Sequence, residues 1–294
     1  MSRSGATPEI GVEHITIKFS LILATVGRTD DVARFLRSLD RQSYRNFELI
    51  VVDQNPEGIL DPLMLQYQDR FPLLHLRSER GLSRARNVGL QHLSGNVVAF
   101  PDDDCWYAPD TLEKMARAFH ENVKCDGFTG RAVDDSRPGA FSWFPQKSGW
   151  VDKKNVWRQA ISYSIFLRAS VIRALGPFDE SLGAGSHNGK LSGEETDYLI
   201  RAIVSGFRIY YRTDLSIFHA DVLSTYDHDL IKKSYGYSVG CGYVLKKHNY
   251  PVSFVCYLWL RALAGAVISL LTLNFAKSRY HLAVLKGRVL GWLG

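Results

Sequence analysis

The sequence predicts an α/β fold: a mostly parallel sheet flanked by helices, followed by a basic, apolar helical region at the C-terminal end. Three observations carry this. Short continuous apolar runs recur along the chain, as strands buried on both faces of a parallel sheet do. Between them lie stretches with apolar residues at helical spacing, so that strand, helix and strand follow one another within about 35 residues, a βαβ unit. Charge then divides the chain. From Leu230 to Gly294 there are nine Lys/Arg and no Asp or Glu, which leaves 27 basic against 30 acidic residues elsewhere. The 294 residues, 46% hydrophobic and 22% charged, suffice for one large domain, or a domain with an appendage, and a substantial core.

The elements follow in order. Residues 1–17 read as a disordered lead-in, without the apolar stretch of a signal peptide. Phe19 to Val26 is the first strand. Thr29-Asp30-Asp31 supplies an N-cap, and Val32, Phe35, Leu36 and Leu39 follow at helical spacing. Phe47 to Asp53 is the second strand and ends in a carboxylate; Leu73 to Arg77 is a shorter third. Gly81 is a tight turn and Ser83 a cap for a helix to about Leu93. Val97 to Phe100 is the next strand, followed by a helix from about Asp110 to His120. Pro138 to Trp157 is irregular and aromatic, its rings either core anchors or faces for sugar C–H surfaces. Ser162 to Arg168 reads as a strand, and Ala169 to Leu175 as a helix stopped by Gly176-Pro177. Gly183 to Gly193 reads as a mobile flap, and a helix runs from Glu194 to about Ser205. Arg208 to Tyr211 is a strand, and His219 closes an apolar turn. Four cysteines (Cys105, Cys125, Cys241, Cys256) show neither a C-x-x-C pair nor metal-ligand spacing, so a reducing compartment is expected.

Four stretches carry chemistry. Asp102-Asp103-Asp104 ends a buried strand without a spacer, where carboxylates repel and desolvation sharpens the repulsion. A hard cation among them, Mg²⁺ or Mn²⁺, resolves this. The alternative is an acidic surface turn, although Asp110 is better placed to cap the helix that follows. Arg84 and Arg86 stand at a helix N-terminus and suit a diphosphate or a base edge, or are solvated surface arginines. Glu194-Glu195 after a glycine-rich loop either complements the helix dipole or supplies a general base. His219 beside apolar residues is structural or a metal ligand. The flap matches neither G-x-G-x-x-G nor a P-loop, because Ala184 and Leu191 occupy required positions.

Taken together, these stretches make the chain resemble a family 2 glycosyltransferase of the Rossmann-like GT-A fold from about Phe19 to His219. The resemblance rests on the first strand with Thr25, Val51-Val52-Asp53, Gly81 to Asn87, Phe100 to Asp104, and Gly193 to Asp197, in that order. It implies an inverting transfer from a nucleotide-diphosphate sugar. It implies that Asp53 and Thr25 bind base and ribose, and that Arg84, Arg86 and Asn87 help to hold the nucleotide. Asp102 and Asp104 match the D-x-D pair, the first towards ribose and the second to a divalent metal, with Asp103 making the register ambiguous by one. The base position falls on Glu195, where the family usually has Asp; Glu194 and Asp197 compete for it. Two other readings are a nucleotidyltransferase, which would show a glycine-rich loop after the first strand, and an inactive nucleotide-sugar-binding scaffold, which would not need both Asp104 and Glu195.

The division drawn is a lead-in to residue 17, a GT-A domain over 18–229 and a helical membrane-associating region over 230–294. Val252 to Asn274 is long enough to cross a bilayer, its only charge being Arg261. Basic residues flank it on both sides, so a pair of helices lying in the interface against anionic headgroups explains more than a crossing. A soluble helical lid is the alternative. The basic residues are spread among apolar stretches rather than along a polar stripe, which argues against nucleic acid. The expected location is the cytoplasmic face of the cell membrane, and the expected acceptor a lipid-linked or envelope glycan.

Overall fold

A computed structural model describes residues 16–137, 139–220 and 225–294. Most of the expected lead-in, residues 1–15, lies outside the described residues; Ile17 at its end is buried in the core. Nine described strands form one sheet: β1 (Phe19–Thr25), β2 (Phe47–Asp53), β3 (Leu73–Arg77), β4 (Val97–Ala99), β5 (Cys105–Trp106), β6 (Gly127–Val133), β7 (Gly149–Trp150), β8 (Phe166–Arg168) and β9 (Ile209–His219). Their order is β3-β2-β1-β4-β8-β6-β9-β5, with β7 beside β9. Strands β3, β2, β1 and β4 run parallel, whereas β8 is antiparallel to both its neighbours. The parallel half explains the continuous apolar runs: every residue of β1 is buried.

Helices cover the sheet as their apolar periodicity requires. Helix α1 (Thr29–Asp40) buries Val32, Phe35, Leu36 and Leu39. Helices α2 (Asp61–Tyr67) and α3 (Leu82–Leu90) follow β2 and β3, and α4 (Thr111–Glu121) buries Leu112, Met115 and Phe119. After α5 (Val156–Gln159) and α6 (Ala169–Leu175) comes α7 (Glu194–Val204). The C-terminal region forms three helices rather than two: α8 (His228–Lys247), α9 (Val252–Leu271) and α10 (Phe275–Leu293). Its start at His228 puts the boundary drawn at residue 230 inside the first turn of α8. Val244, Leu245, Tyr250 and Val255 share the core cluster of the sheet.

Helix α1 already includes Thr29, so the cap position falls to Arg28, and no side chain caps it. Likewise Gly81, not Ser83, precedes α3; the Ser83 hydroxyl instead donates to the Leu182 carbonyl at 2.7 Å. Ser162–Ser164 is a 3₁₀ turn, and the strand there is only β8. The strand expected over Arg208 to Tyr211 continues to His219, which therefore ends β9 rather than closing a turn. The flap is tied at its ends. Leu182 and Ala184 carbonyls accept from Ser83 and from the Leu82 N–H, and the Leu191 N–H donates to the Gly236 carbonyl at 3.1 Å.

Candidate active site

The carboxyl ends of β1, β2 and β4 lie side by side, the edge at which parallel sheets bind ligands. Thr25 pairs in register with Asp53, and Ala24 bridges Asp102. Strand β5 pairs antiparallel with β9 so that Cys105 faces His219. This register carries His219 to Asp104 across more than a hundred residues of chain.

Three cations neutralise the three aspartates. Arg86, 1% exposed, donates to Asp102 at 3.1 Å, and Ser162 adds a hydroxyl at 2.9 Å. Asp103 accepts from Thr25 and from Arg28, both at 2.8 Å. Asp104 takes the other contact of Arg28, and its Oδ1 stands 3.2 Å from His219 Nε2. The environments push the carboxyls apart. Burial, with Asp104 adding to it, outweighs Arg86 and Ser162 and raises Asp102 to about 6. At Asp104 burial works the same way, but His219 and then Arg28 overcome it and hold the carboxyl down at about 2. His219 in turn loses to burial but gains more from Asp104, so its imidazolium is favoured. The ring is stacked on Tyr163 at 5.2 Å, and Phe141 lies perpendicular to it at 6.1 Å.

The second acidic stretch joins the first through one side chain. The other end of the Arg86 guanidinium donates to Glu194 Oε1 at 3.2 Å. A buried guanidinium is tolerated only when paired and hydrogen-bonded, and here its partners are Asp102 from the end of β4 and Glu194 from the first turn of α7. Glu195 lines a small pocket with Arg86, Phe100, Ser162 and Tyr198. Burial there, and then the Glu194 carboxylate beside it, push the Glu195 carboxyl well above the usual glutamate range. The flap lies over this pair: a Cβ on Gly183, whose φ is +99°, would come within 3.2 Å of the Glu194 carboxyl.

Other expected site residues stand elsewhere. Asp197 is fully buried, with Oδ1 2.8 Å from both His248 Nε2 and Lys247 Nζ, and Oδ2 3.1 Å from Arg201 Nε. Both oxygens are occupied, so the competitor for the base role is an ion-pair hub tying α7 to the end of α8. Asn87 is held by the Phe178 backbone, donating at 3.0 Å and accepting at 2.7 Å, and Arg84 pairs with Glu79 and Glu180. Both pin the segment after α6 instead of turning to the aspartates. Asp53 accepts from the Asn55 backbone and side chain, His75 and Arg77, one strand away from Thr25. In the aromatic segment, Phe144 is buried and Trp157 donates to the Tyr250 hydroxyl at 3.0 Å, so these two are anchors.

Arg28 and Tyr237 were not singled out in the sequence. Only the register of β1 against the Asp102 bridge brings Arg28 to the cluster. Tyr237, on α8, lies at the rim, its phenol pushed up to about 12 by burial and then by the Glu194 and Glu195 carboxylates.

The residues fit a divalent ion. Asp104 and His219 stand 3.2 Å apart and, with the imidazole deprotonated, offer a carboxylate oxygen and a ring nitrogen of the kind Mn²⁺ accepts; among the described residues His219 Nδ1 is buried without a hydrogen-bond partner. Among the described residues no group of three or more His, Cys, Asp or Glu is placed to hold an ion unaided. An ion held there would need further oxygens from a bound phosphate and water, as Mg²⁺ sites commonly use.

A carboxylate-rich edge on a Rossmann-like sheet, with a second acidic helix facing it across a buried arginine, defines a GT-A type transferase. Residues 20–174 match glycosyl transferase family 2, and the chain belongs to that family. It is 29% identical over 101 residues to the uncharacterized glycosyltransferase YwdF of Bacillus subtilis, covering 34% of this chain and 38% of that one. It is 24% identical over 217 residues to the glucosyl-dolichyl phosphate glucuronosyltransferase of Haloferax volcanii, covering 69% of each. The chain thus spans well under half the length of YwdF. Among solved structures, S. aureus TarS 1-349 in complex with UDP-GlcNAc superposes with a TM-score of 0.58 at 18% identity, covering 92% of this chain and 90% of that one. The mannosyltransferase PcManGT of Pyrobaculum calidifontis, in complex with GDP-Man and Mn²⁺, gives 0.60 at 16%, covering 93% and 87%. At these identities the likeness shows the fold.

Proposed function

We propose that this chain transfers a sugar, with inversion, from a nucleotide-diphosphate sugar to a hydroxyl of a lipid-linked or envelope glycan, at the cytoplasmic face of the cell membrane. The observation that carries the reading is Arg86. Its buried guanidinium pairs with Asp102 at the end of β4 and with Glu194, the neighbour of the candidate base Glu195, and so joins the two acidic stretches. Support for a nucleotide-sugar donor comes from TarS and PcManGT, whose complexes hold UDP-GlcNAc and GDP-Man.

The roles follow from the chemistry of each group. Thr25, Asp53, Asp102 and Asp103 are the nucleotide-binding acceptors and donors at the strand ends. Arg84 and Asn87 contribute by fixing the segment that closes over α3, and Arg86 by orienting Asp102. Asp104, with His219, would hold Mg²⁺ or Mn²⁺, which would supply charge neutralisation of the departing diphosphate. Arg28, paired with Asp103 and Asp104, would add a further positive charge for a diphosphate at this edge. Glu195 takes the proton of the acceptor hydroxyl on the face opposite the leaving group. Glu194, already committed to Arg86, keeps Glu195 poised by its charge. The experiment is a panel of nucleotide-sugars assayed for Mn²⁺- or Mg²⁺-dependent hydrolysis without acceptor. Turnover of one or a few members supports the reading; binding without turnover would leave a nucleotide-sugar-binding scaffold.

A further inference from the structure

The α9–α10 hairpin carries an apolar turn that nothing among the described residues covers. Leu270, Leu271, Leu273 and Phe275 at its tip are 50–78% exposed. Leu273 adopts φ +57°, a conformation that Gly or Asn takes with little strain and that a leucine rarely adopts. The turn reads Leu-Leu-Thr-Leu-Asn-Phe and presents its leucines to the outside of the protein.

The hairpin is closed by small residues. Ala262, Ala266 and Ser269 are the buried face of α9, the Ser278 hydroxyl donates to the Ala266 carbonyl at 3.0 Å, and a Cβ on Gly265 would meet the His281 ring at 2.7 Å. Helices associate in lipid through such small-residue contacts and keep their large side chains outward. Here Leu260, Leu263, Val267 and Ile268 are outward, each more than two fifths exposed.

Charge selects the occupant and the depth. The region from Leu230 onward has nine cations and no carboxylate. Lys277 and Arg279 follow the tip by three and five residues after Asn274, about 5–8 Å along the helix. That distance matches the 5–10 Å to which an interfacial helix enters the headgroup and acyl boundary. A full crossing by α9 is disfavoured by its packing. Its 20 residues, about 30 Å, equal a bilayer core. Yet α10 is packed along it, and the Arg288 guanidinium donates to the Leu258 carbonyl at 2.9 Å. Arg261, Lys277, Arg279, Lys286 and Arg288 would enter the core together.

We propose that the α9–α10 hairpin seats the chain on an anionic lipid bilayer as a shallow wedge, with Leu270–Phe275 in the acyl boundary and Lys277 and Arg279 at the phosphates, without crossing. This deepens the membrane location proposed above. Helix α8 joins the wedge to the catalytic residues. A Cβ on Gly291 of α10 would meet the Val239 carbonyl at 2.0 Å, and one on Gly240 of α8 would meet the Ser192 carbonyl, just before Glu194, at 2.1 Å. The hairpin therefore sets the height of the acidic pair above the lipid, the plane from which a lipid-linked acceptor hydroxyl arrives.

The test is flotation of the full chain with phosphatidylcholine vesicles, with and without phosphatidylglycerol, followed by alkaline carbonate. The wild type is expected to float only with phosphatidylglycerol and to be stripped by carbonate. Leu271→Asp and Leu273→Asp are expected to weaken flotation by at least about tenfold, with melting temperature and donor hydrolysis unchanged. Failure to float, resistance to carbonate, or a dimer broken by the Asp substitutions without vesicle binding would each overturn the proposal. A chain that floats as described but hydrolyses no donor supports the wedge while removing the proposed transfer.

Discussion

At the scale of single residues, adjacent carboxyl groups in this site are separated by what surrounds them. Burial and Glu194 raise Glu195, so it carries a proton well above the pH at which an exposed glutamate loses one. A base must be ionised, so the acidic limb of the kcat profile is expected well above pH 4.5, with activity falling as pH drops through that limb. Glu195→Gln is expected to lower kcat about 10²–10⁴-fold with donor affinity little changed. The folded chain holds that proton more tightly than the unfolded chain. Ionising Glu195 therefore costs stability as pH rises from the ordinary glutamate range towards its raised value, and Glu195→Gln is expected to melt no lower than the wild type at neutral pH. A melting temperature well below wild type at pH 7 would contradict the assignment of the shift to burial. Asp197 has the opposite sign. Burial opposes its ionisation, but His248, Lys247 and Arg201 overcome that and lower its pKa. Its contribution is present above the unfolded aspartate pKa and is lost as pH falls through the folded value. Asp197→Asn is expected to cost about 3 kcal/mol, the low end for a broken buried pair because Arg201 and Lys247 reach water, measured by denaturant unfolding. The carboxylates were legible in the sequence because consecutive acids at a strand end are costly. Their partners were not, since an arginine after a strand reads alike whether it meets solvent or, as Arg28 does, two aspartates.

At the scale of elements, α8 is the piece that periodicity alone described least. Its buried positions are Gly236, Ser238, Gly240, Gly242, Val244 and Leu245, mostly residues without an apolar side chain, so no hydrophobic stripe announces its packing. It is built instead for close approach on two sides, the Ser192–Gly193 loop on one and α10 on the other. Gly240→Ala is expected to push the Ser192–Gly193 segment away and to cost about 1–3 kcal/mol of stability. Activity should fall further than Mn²⁺ binding, because α8 touches the loop before Glu194 and not Asp104. Equal loss of both would mean that the substitution unfolds the domain rather than shifting the loop. Strand β6 escaped sequence reading for a related reason. Gly127 and Gly130 break its apolar run, and both lie where a Cβ would strike Leu167 or Leu215 of neighbouring strands. By contrast β1 and β2 were legible as continuous apolar runs buried on both faces, and α1 and α4 because each packs a regular apolar face against the sheet.

At the scale of the whole molecule, the chain couples the proposed donor edge, the helix of the proposed base and a basic helical appendage through two shared contacts. Arg86 links the first two, and the α8 glycine face with the Asp197 hub links the second to the third. The order of the acidic stretches let the sequence point to a sugar transferase, but neither linkage could be read from it, because each depends on residues distant in the chain that pair only after the sheet is complete. The central claim is that Asp104 and Glu195 do different work on the same donor. Its most direct measurement is Mn²⁺ binding and donor hydrolysis followed in parallel for wild type, Asp104→Asn and Glu195→Gln, with the active nucleotide-sugar found in the panel. The account predicts that Asp104→Asn loses both Mn²⁺ binding and turnover, whereas Glu195→Gln keeps Mn²⁺ binding and loses turnover. Wild-type turnover in Asp104→Asn at saturating donor and metal, or loss of Mn²⁺ binding in Glu195→Gln with the fold intact, would contradict it.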